Sequence, residues 1–244
     1  MVSSLRLIFD YVFSSLFFDG ALMTLAISLA SLMAGIVVGL FLAVLQEFRW
    51  TPIRGAAVTY LWLFRGTPVL FQLIFVFNVL PSFGVVLPGF VCAVLALGLN
   101  EGAYMAEIMR SGIHAVGRGQ RLAAKALGMK DLQVMRYVVL PQAMRIIIPP
   151  IGNQFIGMLK LSALVSVIAV NDLLLVADQT ASANFRYLEA LSAAGVYYLA
   201  MTTVLMVGQA ALEKALRRRG RKTEKPVRLT QRLFGITADV GRVR

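Results

Sequence analysis

Asn100, Glu101, Tyr104 and Glu107 stand in a run, residues 89–111, that is otherwise apolar enough for a membrane span. A carboxylate at such depth is expensive in hydrocarbon, so these groups must face a bundle interior or a water-filled cavity. Asn100, Tyr104 and Glu107 fall at helical spacing on one side, with Glu101 about 100° round the helix. Interhelical hydrogen bonding satisfies this pattern, and so does a polar path for a zwitterionic substrate. On the second reading Glu101 favours a substrate ammonium or guanidinium group. Asn100, Glu101, Tyr104 and Ser162 are the residues expected to line or border that path. Ser162 comes from another polar interruption, Lys160-Leu161-Ser162, further along the chain.

Other chemistry is excluded by what the chain lacks. With one histidine, His114, and one cysteine, Cys92, no Cys/His or Ser/His/Asp set is evident, and no histidine- or cysteine-based metal cluster can be assembled. It has no GxxxxGK[ST] run to cradle nucleotide phosphates. The chain is not expected to be a catalyst or to hold a cofactor or metal. Cys92, in an apolar run, reads as a small packed side chain.

A second informative stretch covers residues 112–141, GIHAVGRGQRLAAKALGMKDLQVMRYVVLP. It lies between apolar segments yet carries Arg118, Arg121, Lys125, Lys130 and Arg136 against a lone Asp131. Gly117 and Gly119 loosen its start, LAAKAL supplies strong helix formers, and Gly128 suits a helix C-terminus. Pro141 opens the next apolar run, where a missing N–H costs little. The stretch reads as a short polar helix between two spans, a surface for another protein to grip.

The elements that must position these residues are membrane helices. Of 244 residues, 59% are hydrophobic and 15% charged, with mean hydropathy +0.77. A soluble domain of that composition would expose too much apolar surface. Backbone groups in lipid are satisfied inside helices, so the expected class is an all-α membrane protein. Residues 1–20 read as an interfacial segment, because Asp10 and Asp19 interrupt a patch too short to span, and not as a cleaved signal peptide, because no basic run followed by a small-residue cleavage site is evident. Residues 21–46 carry no charge over 26 positions and form the first span. Along it Ser31, Gly35, Gly39 and Ala43 recur every fourth position, a stripe on which another helix of the same subunit packs closely.

A second span is expected over 57–80, with Thr67 and Pro68 as the N-cap and first residue of a restarted helix. The sequence leaves open whether 57–66 crosses the membrane or lies on it. The third span is 89–111. Pro149-Pro150 is expected to break or kink the fourth. Residues 141–165 therefore read as a discontinuous span, 166–178 as a short return segment at the outer surface, with 163–177 as a separate but short span the alternative, and 190–212 as the last span. The domain organisation is then 1–20 interfacial, 21–212 transmembrane, and 213–244 a basic tail.

Charge orients the five spans. Loops 47–56 and 112–140 are basic, the turn at 81–88 has no charge, and 171–189 is net −2. From Glu213 onward there are 11 Lys/Arg and 3 Asp/Glu. An excess of Lys and Arg marks the cytoplasmic side, which puts the central loop and C-terminus in the cytoplasm and the N-terminus outside. No nucleic-acid-binding module accompanies the basic tail, and contact with anionic membrane lipid accounts for it.

Several of these residues also carry a family resemblance. Ala123-Ala124, then Gly128, then nine residues, then Val138 and Leu140-Pro141 resemble the cytoplasmic "EAA" loop of ABC importer permeases. GQRLAAKALGM, VVLPQAMR and PPIGNQ, together with LFRGTPVL (63–70) and GAYMAEIMRSGI (102–113), are similar to the polar amino acid branch of that family. The likeness covers roughly residues 20–215. It implies a five-span type I permease core whose cytoplasmic coupling helix, with Gly119, Arg121, Leu122, Ala123, Ala124, Lys125 and Gly128, docks on an ATP-binding cassette ATPase subunit. It also implies a second permease subunit, identical or homologous, and an external solute-binding protein that delivers a polar or charged amino acid. The implied location is the bacterial cytoplasmic (inner) membrane, with ATP hydrolysis in the partner subunits.

One position departs from the family pattern: Leu122 stands where the loop usually has glutamate. Burying a leucine is worth roughly 1.5–3 kcal/mol, comparable to a charged hydrogen bond at about 1.5–3 kcal/mol. The contact therefore changes in kind, with Arg121 and Lys125 expected to stay free to pair with acids. An ion-coupled secondary transporter or channel subunit is the alternative class, but it needs inverted repeats or a pore carried by one chain, and neither is evident. A membrane scaffold, its mid-span polar groups purely structural, is a third.

Overall fold

Uncharged runs that must bond their own backbone fold as helices throughout the computed structural model, which describes residues 2–218. Residues 219–244, most of the expected basic tail, lie outside the described residues. Helix α1 (Val2–Val12) precedes a break at which Ser14 caps α2 (Ser15–Gln46) by accepting from Phe17 N at 3.4 Å. The helix that carries the first span thus starts at Ser15, upstream of Asp19. Tyr197 Oη, in the last helix, donates to Val12 O at 2.7 Å and ties α1 to the bundle.

The small-residue stripe of α2 meets α5 (Gly89–His114). A Cβ on Gly35 would meet Glu101, and one on Gly39 would meet Met105 and Ala106. From the other side, Gly98 and Gly102 receive Ala34 and Val38. With no side chain at these crossings the two backbones approach closely, which is how apolar helices associate without a hydrophobic driving force. Cys92 is buried here, packed with Ile27, Leu73, Ala93, Ala96 and Leu97.

Between α2 and α5 the expected span 57–80 is two helices, α3 (Thr51–Gly66) and α4 (Val69–Val79), bent by 101° at Thr67-Pro68. Thr67 is not the N-cap of the restart. It ends α3, its hydroxyl donates back to Leu63 O at 2.8 Å, and Pro68 takes the cap position without a side-chain bond. The reason is local: a residue before proline is pushed to extended backbone, so Thr67 leaves the helix instead of starting one. A 3₁₀ turn, Leu80–Phe83, closes at Gly84 with φ +80°.

After α5 comes the short polar helix α6 (Arg118–Ala126). The chain then winds continuously through α7 (Asp131–Gln133), a π-helical turn (Val134–Val139) and α8 (Leu140–Leu161). The discontinuous span expected over 141–165 is not found. Both Pro149 and Pro150 sit inside α8. Each proline removes one N–H from the ladder, yet the helix runs on, and beside the pair Gln209 of the last helix reaches in, its Nε2 donating to Pro149 O at 3.3 Å and Asn153 Oδ1 at 2.8 Å. Gly152 lets it come that close.

The break comes later. A 3₁₀ segment, Ser162–Ile168, ends at Ala169 in the left-handed region. Asp172 then caps α9 (Leu173–Asn184), accepting from Leu175 N at 3.1 Å and Leu174 N at 3.2 Å. The return segment therefore extends past 178. The last helix, α10 (Tyr187–Arg218), is longer than 190–212 and carries the first residues of the basic tail. Among the described residues, four helices are long and apolar enough to cross a membrane, and the bent α3–α4 pair makes a fifth if counted as one span.

Candidate functional site

The polar residues of α5 divide at the bend between α3 and α4. A broken helix leaves carbonyls without ladder partners, and in lipid these must be satisfied by side chains. Asn100 does this. It is buried, and its Nδ2 donates to Phe64 O at 2.8 Å and to Gln72 Oε1 at 3.1 Å. Gln72 completes the patch, its Nε2 donating to Phe64 O at 2.8 Å, Thr67 O at 3.2 Å and Thr67 Oγ1 at 2.8 Å. Tyr60 Oη adds a bond to Leu99 O at 2.8 Å. Asn100 is thus spent on the bend, at the end of α3 from which Arg65 reaches Tyr104 and Glu107 on the same side of α5.

Glu101 is 4% exposed, packed against Gly35, and accepts from Gln154 Nε2 of α8 at 3.0 Å. Tyr104 and Glu107 face the other way and share a wall. The guanidinium of Arg65, from the last turn of α3, lies 5.4 Å over the Tyr104 ring and forms an ion pair with Glu107. That wall borders a cavity of about 660 Å³ lined by Gln46, Tyr104, Glu107, Arg110, His114 and Gln154 among others. At its rim Glu47, just past the end of α2, accepts from Arg110 Nε at 3.2 Å and contacts His114 Nε2 at 2.8 Å. The His114 contact holds the Glu47 carboxyl below its ordinary value, with Arg110 helping and partial burial opposing.

Ser162 is elsewhere. It is fully buried and its hydroxyl donates to Leu159 O at 2.9 Å, eight residues or about 12 Å along the helical path from Gln154. The structure therefore places Tyr104, Glu107 and Gln154, the partner of Glu101, around one cavity, spends Asn100 on the bend, and does not place Ser162 with them. Gln154 and Gln72 were not singled out from the sequence. Gln72 shows there only as a carboxamide inside an apolar run, and Gln154 as the last residue of PPIGNQ.

The second candidate surface is α6. Its inner side is Ala124, buried with Val116, Val134 and Val139. Leu122, Ala123, Ala126 and Leu127 are exposed, Leu122 at 67% and Leu127 at 83%. Gly128 N donates to Lys125 O at 2.9 Å and Met129 N to Ala124 O at 3.2 Å, with Gly128 at φ +81°. This is the left-handed C-terminal closure that glycine permits. Gly119 is exposed at the other end.

The two cations expected to be free are not. Arg121 Nη2 donates to Ile113 O at 2.7 Å, and Lys125 Nζ pairs with Asp131 Oδ1 at 2.7 Å. Both are used to fasten α6 to the helices before and after it. A carbonyl at the end of α5 and a carboxylate at the start of α7 lie within reach, and long side chains take the partners nearest to hand.

Known proteins resemble this chain along most of its length. The arginine transport system permease protein ArgU of Corynebacterium glutamicum is 41% identical over 245 residues, covering 94% of this chain and 76% of that one. The glutamine transport system permease protein GlnP of Escherichia coli is 37% identical over 204 residues, covering 83% and 93%. Among solved structures, an amino acid ABC transporter with histidines matches with TM-score 0.79 and 42% identity, covering 82% of this chain and 94% of that one. The MetNI methionine ABC transporter, at 18% identity and TM-score 0.72, shares the fold. The all-α, five-span permease fold expected from the sequence is thus the fold of this chain. The family described as the inner membrane component of binding-protein-dependent transport systems matches residues 35–218, and the chain belongs to that family.

Proposed function

We propose that the chain is the membrane-spanning subunit of an importer for a polar or charged amino acid, driven by separate ATPase subunits that dock on α6. The observation that carries this reading is the surface of α6 itself: a short helix fastened at both ends, with Leu122 and Leu127 held out at 67% and 83% exposure. A monomer gains nothing from presenting leucines this way, whereas a partner cleft that covers them gains roughly 1.5–3 kcal/mol for each. The relatives named for arginine and glutamine transport support an amino acid as cargo. Two permease subunits, this chain with a copy or a homologue, enclose the path, and an external binding protein delivers substrate to it.

The end of the bundle that holds α6 faces the cytoplasm in this reading, and the N-terminus lies outside. ATP binding closes the ATPase pair and moves α6 as a rigid lever. Glu101, Tyr104, Glu107 and Gln154 border the path at mid-bundle, with Asn100 holding the bend beside them. The test is co-purification with a co-expressed ATP-binding cassette ATPase subunit, followed by a screen of amino acids with binding protein for stimulated ATP hydrolysis. Stimulation by one or a few polar amino acids is the expected result. A chain that captures no ATPase, or a complex that responds to no amino acid, would sink the proposal.

A further inference from the structure

We propose, resting on the importer reading, that Arg65 is a built-in occupant of a cation-binding position which a substrate's cationic side chain takes over, and that Tyr104 and Glu107 are the residues that recognise it. Two independent contacts define the position. The Arg65 guanidinium lies over the flat face of Tyr104, 5.4 Å from the ring centroid, and is paired with the Glu107 carboxylate. An aromatic face plus a carboxylate is the combination that holds guanidinium and ammonium groups. Tyr104 and Glu107 are one turn apart on α5, and both line the cavity of about 660 Å³. Space for a substrate therefore adjoins the position that Arg65 fills.

The surroundings let Arg65 leave without disturbing the fold. Its side chain is 40% exposed and that of Glu107 48%, and ion pairs this exposed contribute little to stability. The backbone beside it is held by other groups, with Asn100 and Gln72 bonding Phe64 O and Thr67. Only the Arg65 side chain needs to swing. Nearby charges do not compete for the position. Arg110 and His114 are engaged by Glu47, and Glu101 by Gln154.

Competition makes a signed prediction that a structural ion pair does not. Removing the occupant strengthens binding of a cationic substrate, whereas removing the carboxylate weakens it. The permease–ATPase complex, purified in detergent without binding protein, is titrated calorimetrically with L-arginine and with L-glutamine. Arg65→Gln should tighten L-arginine about fivefold or more. Glu107→Gln should loosen it about tenfold or more, the loss of one charged hydrogen bond. Tyr104→Leu should loosen it severalfold, and L-glutamine should change less than about twofold in each variant. Arg65→Lys, which keeps the charge but loses the planar stack, serves if Arg65→Gln fails to assemble, and should tighten L-arginine by a smaller factor.

Loss of L-arginine affinity in both Arg65→Gln and Glu107→Gln would make the pair a strut and overturn the proposal. So would binding of L-glutamine alone by the wild type and by Arg65→Gln. Either result leaves the importer reading standing. A complex that binds no amino acid, and whose ATP hydrolysis responds to none, overturns both.

Discussion

Gly35→Ala tests whether the place of Glu101 matters, and its size can be worked out from the packing. A Cβ at Gly35 would lie 2.7 Å from both Cβ and Cγ of Glu101 and 3.3 Å from its backbone carbon. Carbon atoms in contact sit at about 3.5–4.0 Å, so the overlap is about 1 Å. Moving α2 away from α5 also opens the crossings at Gly39, Gly98 and Gly102, where backbones touch. Rotating Glu101 instead gives up its 3.0 Å bond from Gln154. Overpacking of this kind costs about 1–3 kcal/mol, which is a factor of roughly 5–150 in an equilibrium that depends on the position of Glu101. The assay is substrate-stimulated ATP hydrolysis and uptake by the reconstituted importer, with Gly55→Ala as control, since a Cβ at Gly55 meets nothing within 4 Å. Gly35→Ala should lose transport by such a factor while Gly55→Ala keeps it. Equal transport by the two variants would refute the idea that the α2–α5 crossing positions a working carboxylate.

Gly128→Asp, which puts a side chain at φ +81°, should leave the subunit in the membrane but abolish substrate stimulation of ATP hydrolysis; normal transport by this variant would make residues 112–141 a mere connector. Leu122→Asp should weaken co-purification of the ATPase while Leu122→Met is nearly silent, and equal retention by both would remove α6 as the docking surface. Single cysteines at Ser82 and Ala183 should react with an impermeant thiol reagent from outside and one at Lys130 should not; the reverse pattern inverts the proposed orientation. Because its contacts hold the Glu47 carboxyl below its usual value, the stability it adds is present above the ordinary carboxylate range and is lost as pH falls through and below it. Glu47 is about half exposed, so Glu47→Gln should cost less than about 1 kcal/mol near neutral pH; a thermal-unfolding difference from wild type that survives well below about pH 4 would count against the pairing.

How much was legible depended on whether a residue's partner lies near it in the chain. The ends of α6 could be read because Gly117 and Gly128 act on their own backbone, and Gly128 does adopt the left-handed conformation that its place suggested. The stripe of Gly35 and Gly39 could be read because close approach needs only the absence of a side chain. Asn100 and Glu101 could be recognised as expensive, but not assigned to partners that lie 28 and 53 residues away, Gln72 and Gln154. Ser162 misled for the opposite reason: its hydroxyl is satisfied three residues back, at Leu159 O, which spacing alone does not distinguish from a hydroxyl facing a cavity. Pro149-Pro150 misled because a proline's local cost was taken as decisive, while packing against the neighbouring helices, including the contact from Gln209 some sixty residues later in α10, keeps α8 continuous.

The unbroken run from Asp131 to Leu161 bears directly on how α6 and the polar cluster communicate in the proposed importer. Had the prolines broken the fourth span, movement at α6 would have been absorbed at residue 149, five residues short of Gln154. Instead α7, the π-helical turn and α8 join into one helix, about 35 Å from Asp131 to Gln154. Its start is fastened to α6 by the Lys125–Asp131 pair, and Gln154 near its far end holds Glu101. Two places along it bend more easily than the rest: the π-helical turn Val134–Val139 and the proline pair. The first lies close to α6 and the second just below Gln154, with Gln209 bridging it to α10. In the proposed importer a displacement of α6 would then reach Glu101 as a tilt of the segment between these two points, with the Gln209 bonds joining that segment to α10.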